Sequence, residues 1–373
     1  MGGGRISGKV CLPALLLAAL AVAACASPPR KQPPPPDPLP AAGEAAALDS
    51  VDEILAATLA GLVPPREDWP PREEVRPAPE GARIFTRTVS LSSLAYLPRL
   101  RPALERSLAE AGYEGFRING YPVPDGETWE VEVPLAEGLS SRLNFTAVIA
   151  GRVAIIIDDC GNSLRNRGLL FSLDYPLTLA VLPGLCHTSA VDRLAAEHEF
   201  EVILHCPMEG LNRELDPGPG TLALEMEPGE LARRFAENIR GVPHAVGVNN
   251  HMGSAFTTDP GAMALLMEEL RARDLFFVDS LTTANTATGP AADSAGVRYL
   301  TRDVFLDHEN REEFILGQLA ALKKKALKRG AAIAIGHDRP LTLEILAREL
   351  PSLAEDNLRL VPVSDLLGVR QED

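Results

Sequence analysis

Positive charge is scarce in this chain. Its 373 residues carry 36 Lys and Arg against 51 Asp and Glu, a formal net charge of −15, and a chain of that sign repels a phosphate backbone instead of releasing its counterions. Nucleic acid is therefore excluded as a partner. Aromatic residues are also few, at 5% with two Trp, so an extended stacking platform for a polysaccharide is not encoded. No apolar run reaches the roughly 20 residues that span a bilayer, which excludes a multi-pass membrane protein. What remains is 46% hydrophobic and 23% charged, an ordinary globular composition. It is long enough for two domains, or for one large domain with appendages.

The N-terminus is of another kind. Arg5 and Lys9 precede an apolar run over 12–24, too short for a stable span but right for the hydrophobic part of a secretory signal. The run closes Val22-Ala23-Ala24-Cys25, which resembles a bacterial lipobox, where small residues fit the peptidase and the thiol accepts a diacylglycerol. Residues 1–24 are read as a lipoprotein signal peptide and Cys25 as the lipidated mature N-terminus. Acyl chains contribute about 0.8 kcal/mol per buried methylene, so the expected location is the cell envelope, membrane-anchored, on the periplasmic side if the cell has two membranes. Export leaves Cys160, Cys186 and Cys206 in a compartment that permits disulfides, with at most one internal bridge. The preferred reading is three small buried residues.

From Pro28 to Ala82 the chain holds 14 of its 32 prolines, a composition that favours an extended spacer. Residues 25–82 are accordingly read as a Pro-rich linker, interrupted by one short helix over 48–62 with its cap at Asp49-Ser50-Val51-Asp52. Residues 83–150 read as a small α+β module, with strands at 84–91, 128–133 and 142–149 and a helix at 98–111. No chemistry is visible in it. From 151 to 373 short apolar runs at 153–157, 177–182, 202–204, 245–248, 275–278, 297–300, 331–335 and 358–361 alternate with amphipathic stretches at 189–198, 228–239, 260–273, 311–328 and 341–350. Continuous apolar strands alternating with helices make a parallel sheet buried on both faces. The expected fold is α/β, a distorted seven- or eight-stranded (β/α) barrel, in which function sits at the C-terminal strand ends.

Those ends carry chemistry. The first run closes Ile157-Asp158-Asp159-Cys160-Gly161, and paired carboxylates after so apolar a strand are costly unless they bind a cation or accept hydrogen bonds. The others close with His205-Cys206-Pro207-Met208, with Asn249-Asn250-His251-Met252-Gly253-Ser254, with Asp279-Ser280, with Arg302-Asp303 followed by Phe305-Leu306-Asp307, and with Gly336-His337-Asp338. Nearly every strand ends in a side chain able to ligate a metal, move a proton or stabilise an anion.

Five of these ordered motifs, all but Asp279-Ser280, resemble the divergent polysaccharide deacetylase family, a branch of the superfamily that contains carbohydrate esterase family 4. The resemblance covers roughly residues 152–367. It implies a distorted barrel that removes acyl groups, N-acetyl above all, from an envelope or extracellular saccharide with a divalent metal, often zinc. Carried over residue by residue, it makes Asp158 the base, Asp159 and His251 metal ligands and His337 the acid, with His205 the best third ligand. Asn249, Asn250, Asp279, Arg302, Asp303 and Asp307 are candidates for supporting the site or touching substrate. Two departures stand out. The relatives' second metal histidine, four residues after the first, is here Ala255, and their arginine–proline–glycine motif is not recognisable, so Arg302 is the residue that would replace its charge. The alternative function is a catalytically silent barrel that binds a glycan or an envelope protein.

Overall fold

The computed structural model describes residues 42–60, 62, 72–77, 83–91, 94–123, 126–135 and 139–368. Cys25 and the proposed signal peptide lie outside them. No helix among the described residues is long and apolar enough to cross a membrane.

The first helix, α1 (Ala42–Ala60), begins six residues before the expected start. The alanines ahead of Asp49 are the best helix formers, so Ser50 sits inside the helix and turns its hydroxyl back to Ala46 O at 3.0 Å instead of capping it. Val51, Leu55 and Leu59 recur every four residues on one face and enter the same core as Leu97, Leu100, Leu104 and Leu108 of α2 (Leu97–Glu110). Both helices cover one face of a five-stranded sheet. Its strands are β1 (Arg72–Pro77), β2 (Arg83–Leu91), β3 (Arg117–Val123), β4 (Gly126–Pro134) and β5 (Leu139–Val148), in the order β1-β2-β5-β4-β3. Only β2 and β5 run parallel. Two segments read as linker, α1 and β1, are thus built into the module. Arg359 ties it to the larger body by pairing with Glu127 at 2.7 Å, and Leu94 N donates to Asn357 Oδ1 at 2.9 Å.

The larger body is a curled parallel sheet. Its strands are β6 (Gly151–Cys160), β7 (Thr178–Val181), β8 (Glu201–Met208), β9 (Ala245–Met252), β10 (Phe276–Asp279), β11 (Tyr299–Thr301), β12 (Val304–Phe305) and β13 (Ala331–His337), in the order β11-β10-β9-β8-β7-β6-β13-β12. The fold is the expected distorted (β/α) barrel, with two differences of membership. The run at 358–361 forms β14 (Leu358–Leu360), which pairs only with the first residues of β6, and the eighth place is taken by β12, at two residues too short to show a periodicity. Between the two edge strands lie only Arg302 and Asp303. Arg302 N donates to Asp279 O of β10 at 3.0 Å and Asp303 N to Ile333 O of β13 at 2.9 Å, so this dipeptide bridges the two edges.

Strand alternation then sorts the side chains. Val153, Ile155 and Ile157 face outward into the large core shared with the helices, among them α3 (Arg167–Leu170), α4 (Thr188–Glu197), α5 (Pro228–Gly241), α6 (Pro260–Arg271), α7 (Thr288–Ala295) and α8 (Glu312–Arg329). Ala154, Ile156, Ile203, Phe276, Val278, Leu300, Ile333 and Ile335 form a separate inner core. Gly247 belongs to the inner set because the Phe276 ring occupies the space a Cβ would need.

Candidate active site

Counting two residues further along each inner row gives the site. Ala154 and Ile156 lead to Asp158, Ile203 to His205, Gly247 to Asn249 and His251, Val278 to Ser280, Leu300 to Arg302, and Ile335 to His337. The ladders set these ends side by side: His337 lies opposite Asp158, and His205 opposite Asn249.

Asp159 breaks the rule. Alternation would turn its carboxylate away from Asp158, into the helix layer. Its backbone instead adopts φ 61°, the left-handed region that Asp tolerates better than most residues, and the register with β7 shifts between Ile157 and Cys160. This bulge swings the second carboxylate back over the mouth. Asp159 Oδ1 lies 3.1 Å from His251 Nδ1 and 3.3 Å from His205 Nε2, and the two imidazole nitrogens are 3.0 Å apart. Three ligand atoms from three strand ends therefore converge, the group among the described residues best disposed to hold a metal ion.

The donor set fits a cation. Bonds of about 2.0–2.1 Å at tetrahedral angles place ligand atoms about 3.3 Å apart, close to the distances here. Asp159 Oδ1 is buried without a hydrogen-bond partner, an arrangement that costs free energy unless something neutralises it. A single proton cannot satisfy one carboxylate oxygen and two imidazole lone pairs at once. Burial would raise the Asp159 carboxyl, but the flanking imidazoles outweigh it and hold the group well below the usual carboxylate range. Burial would likewise lower His205, yet Asp158 and Asp159 overcome it and bring the ring up to about 8. The Asp159 carboxylate and the His205 imidazole thus already favour positive charge at one point.

Around this triangle sit the supporting groups. Asn249 is fully buried; its Nδ2 donates to Asp158 Oδ1 at 2.8 Å while its Oδ1 lies 2.8 Å from His205 Nδ1. Asp158 is itself buried, and that burial pushes its carboxyl up in spite of His205 and Asn249. On the far side Asp307, fully buried, accepts from His337 N at 2.9 Å, His337 Nδ1 at 2.7 Å and Thr342 Oγ1 at 2.7 Å. His337 Nε2 is left facing the mouth, 3.8 Å from Asp159 Oδ2. Burial would depress His337, but the bond to Asp307 and the Asp307 charge raise it above the ordinary histidine value.

The remaining candidates divide. Arg302 lies at the mouth. Asn250 belongs to the outward row and works on the backbone, accepting from Ser280 N at 2.8 Å and donating to Met252 O at 2.8 Å. Asp279 is outward too; its Oδ1 accepts from Leu281 N at 2.8 Å. Its neighbour Ser280 takes the inner place, with Oγ 3.3 Å from Asn249 Nδ2, and the two-residue step from Val278 would have singled it out. Asp303 stands apart from the cluster. It accepts from Ile333 N at 2.9 Å and from Arg329 Nη1 at 3.1 Å, and Ile333 is four residues below His337, about 13 Å at ~3.3 Å per residue. Its place is fastening β12 to β13 and α8. Asp338, absent from the sequence-based set, does border the site: its N donates to Asp158 O at 3.3 Å and its Oδ1 accepts from Asn166 Nδ2 at 2.9 Å. Cys160 and Cys206 are buried free thiols, as expected of small core residues, but Cys186 is exposed. Ala255, at the position of the relatives' second metal histidine, is buried, and His205 supplies an imidazole from the neighbouring strand.

Comparison with known proteins bears on the family and the fold. Residues 155–367 match the family described as divergent polysaccharide deacetylase. The chain is 36% identical over 226 residues to the uncharacterised protein YibQ of Escherichia coli (strain K12), covering 61% of this chain and 70% of that one. It is 36% identical over 217 residues to an uncharacterised protein of Haemophilus influenzae, covering 58% and 76%. Among solved structures, the uncharacterised protein ATU2773 of Agrobacterium tumefaciens shares the fold with a TM-score of 0.56 at 24% identity, over 58% of this chain and 89% of that one. The barrel, its ordered motifs and the matched span agree, and the chain belongs to the divergent polysaccharide deacetylase family.

Proposed function

We propose that the protein is a metal-dependent hydrolase that removes acyl groups, N-acetyl in the first instance, from a saccharide of the envelope or extracellular space. The observation that carries this reading is the convergence of Asp159 Oδ1, His205 Nε2 and His251 Nδ1 within 3.0 to 3.3 Å of one another, flanked by Asp158 and His337. Asp159, His205 and His251 hold a divalent cation, zinc in our reading, which when bound supplies Lewis-acid polarisation of the acyl carbonyl and positive charge for the developing oxyanion. Asp158, raised by burial, takes the proton of the attacking water as general base. His337 carries the other proton. With Nδ1 committed to Asp307, it donates from Nε2 to the departing amine as the carbon–nitrogen bond breaks, so the products are a carboxylate and an amino sugar. In the same reading Cys25 carries lipid, and the enzyme works tethered to a membrane surface in the envelope.

Elemental analysis together with acetate release from N-acetylated oligosaccharides tests the proposal. Stoichiometric metal is expected in the native protein and in Asp158→Ala, with metal lost in Asp159→Ala and His251→Ala and acetate release lost in all three. Full metal occupancy in both ligand variants would falsify the assignment of the centre. A metal-loaded native protein that releases no acyl group from any saccharide offered would instead mark a silent binding barrel.

A further inference from the structure

Arg302 is the cationic side chain of the inner row, and its guanidinium is only partly used. Nε donates to Ser280 O at 2.7 Å and Nη2 to Leu281 O at 3.1 Å, while the plane lies over the Phe305 ring with Cζ 5.1 Å from the centroid. Two backbone carbonyls and one ring therefore fix its orientation. A guanidinium has five N–H donors, and these bonds employ two. Three donors remain, two on Nη1 and one on Nη2, and among the described residues Arg302 makes no other hydrogen bond. Among the described residues Arg302 makes no ion pair within 4.0 Å, although the charges that bear on it are Asp158, then Asp279 and Asp303. Asp158 is served elsewhere, by Asn249 at 2.8 Å and by His205 at 3.6 Å, so Arg302 is not its hydrogen-bonding support.

Water can satisfy these donors while the mouth is open. When a substrate fills it and expels that water, the donors must be met by the substrate itself, or half-buried N–H groups are left without acceptors. One unspent hydrogen on Nη1 and the one on Nη2 can share an edge of the planar fork, the shape that matches both oxygens of a carboxylate. We propose that Arg302 is a substrate-recognition residue that takes a carboxylate carried by the saccharide near the acyl group to be removed. The inference rests on the proposed function for the location of the saccharide, and it names its chemical class: an N-acylated sugar bearing a carboxylate, in preference to the neutral sugar.

Binding of a matched pair, N-acetylglucosamine and N-acetylmuramic acid, which differ by a lactyl carboxylate, tests this on the full chain by calorimetry or ligand-observed NMR. Charge-assisted hydrogen bonds of this kind correspond to about a tenfold to hundredfold preference, so the native protein should favour the acidic sugar by that margin. Arg302→Met should reduce the preference to about twofold or less, and Arg302→Lys, which keeps the charge without the fork, should leave an intermediate value. Unchanged melting temperatures in both variants show that the loss is not one of folding. Equal affinity for the two sugars in the native protein, no binding of either, or a preference that survives Arg302→Met each overturns the proposal. So does an Arg302→Met protein whose only change is a displaced pH profile of turnover, since that places the charge in the service of Asp158. Failure of the metal reading shows separately, as absent metal, because sugar binding is measured without turnover.

Discussion

Asn249 and His205 share a hydrogen bond of 2.8 Å between Oδ1 and Nδ1, and this bond decides which imidazole nitrogen faces Asp159. The amide orientation follows from its other end. Asn249 Nδ2 donates to the Asp158 carboxylate, so Oδ1 must face the ring and Nδ1 must carry the proton. His205 Nε2 is then the nitrogen with the lone pair directed at the cluster. Partners that hold a ligand's tautomer in this way typically matter 10- to 100-fold for metal affinity. On the proposed metal reading, we expect Asn249→Ala to weaken zinc binding by about that factor in a competition titration, while the fold persists. Zinc affinity equal to the native value would show that Asn249 does not orient the ring.

The Asp307–His337 pair makes stability depend on pH. His337 is raised in the folded protein, so its share of stability is complete below the unfolded histidine value of about 6.5 and is lost as pH rises through the folded value. Asp307 is lowered, its hydrogen bonds to His337 and Thr342 outweighing burial, so its share is present above the unfolded aspartate value of about 3.9 and is lost as pH falls through the folded one. Melting temperatures across pH 5 to 9 in native protein and in Asp307→Asn should diverge most on the acid side of neutrality and converge as pH rises. Parallel curves would count against the pair.

Gly247 is a packing position. Replacement by Ala puts a Cβ into the Phe276 ring, and overpacking of this kind costs about 1–3 kcal/mol. Denaturant unfolding should show that loss, with partial recovery in Gly247→Ala combined with Phe276→Leu. If the double variant is no better than the single one, the clash is not the cause.

Thiol reactivity should separate the three cysteines. Cys206 is buried and its thiol is pushed up to about 12 by burial, and Cys160 is raised by burial and by the nearby carboxylates. Cys186 is exposed. Alkylation of the native protein followed by peptide mapping should label Cys186 alone of these, with Cys160 and Cys206 appearing only after denaturation. Rapid labelling of Cys206 in native protein would contradict the packing described.

Apolar runs alternating with amphipathic stretches determine the barrel without reference to coordinates, because a strand buried on both faces must be apolar throughout. Polar residues such as Asp158, His205, His251 and His337 are tolerated only where such strands end, which is why the mouth was legible as the site. Shorter or locally bent pieces were not legible. β12 has too few residues for a period, and α1 begins ahead of its apparent cap because alanine propensity outweighs Ser50. Tertiary structure alone decided which face each end residue takes. Ser280 turns inward and Asp279 outward by strand parity, while Asp159 escapes that parity through a bulge at positive φ. It also decided that His205, rather than a residue one helical turn beyond His251, completes the triangle. Residue order along a strand determines chemistry at its end, but convergence of several ends on one point depends on register, bulges and the curl of the sheet, which are properties of packed strands together.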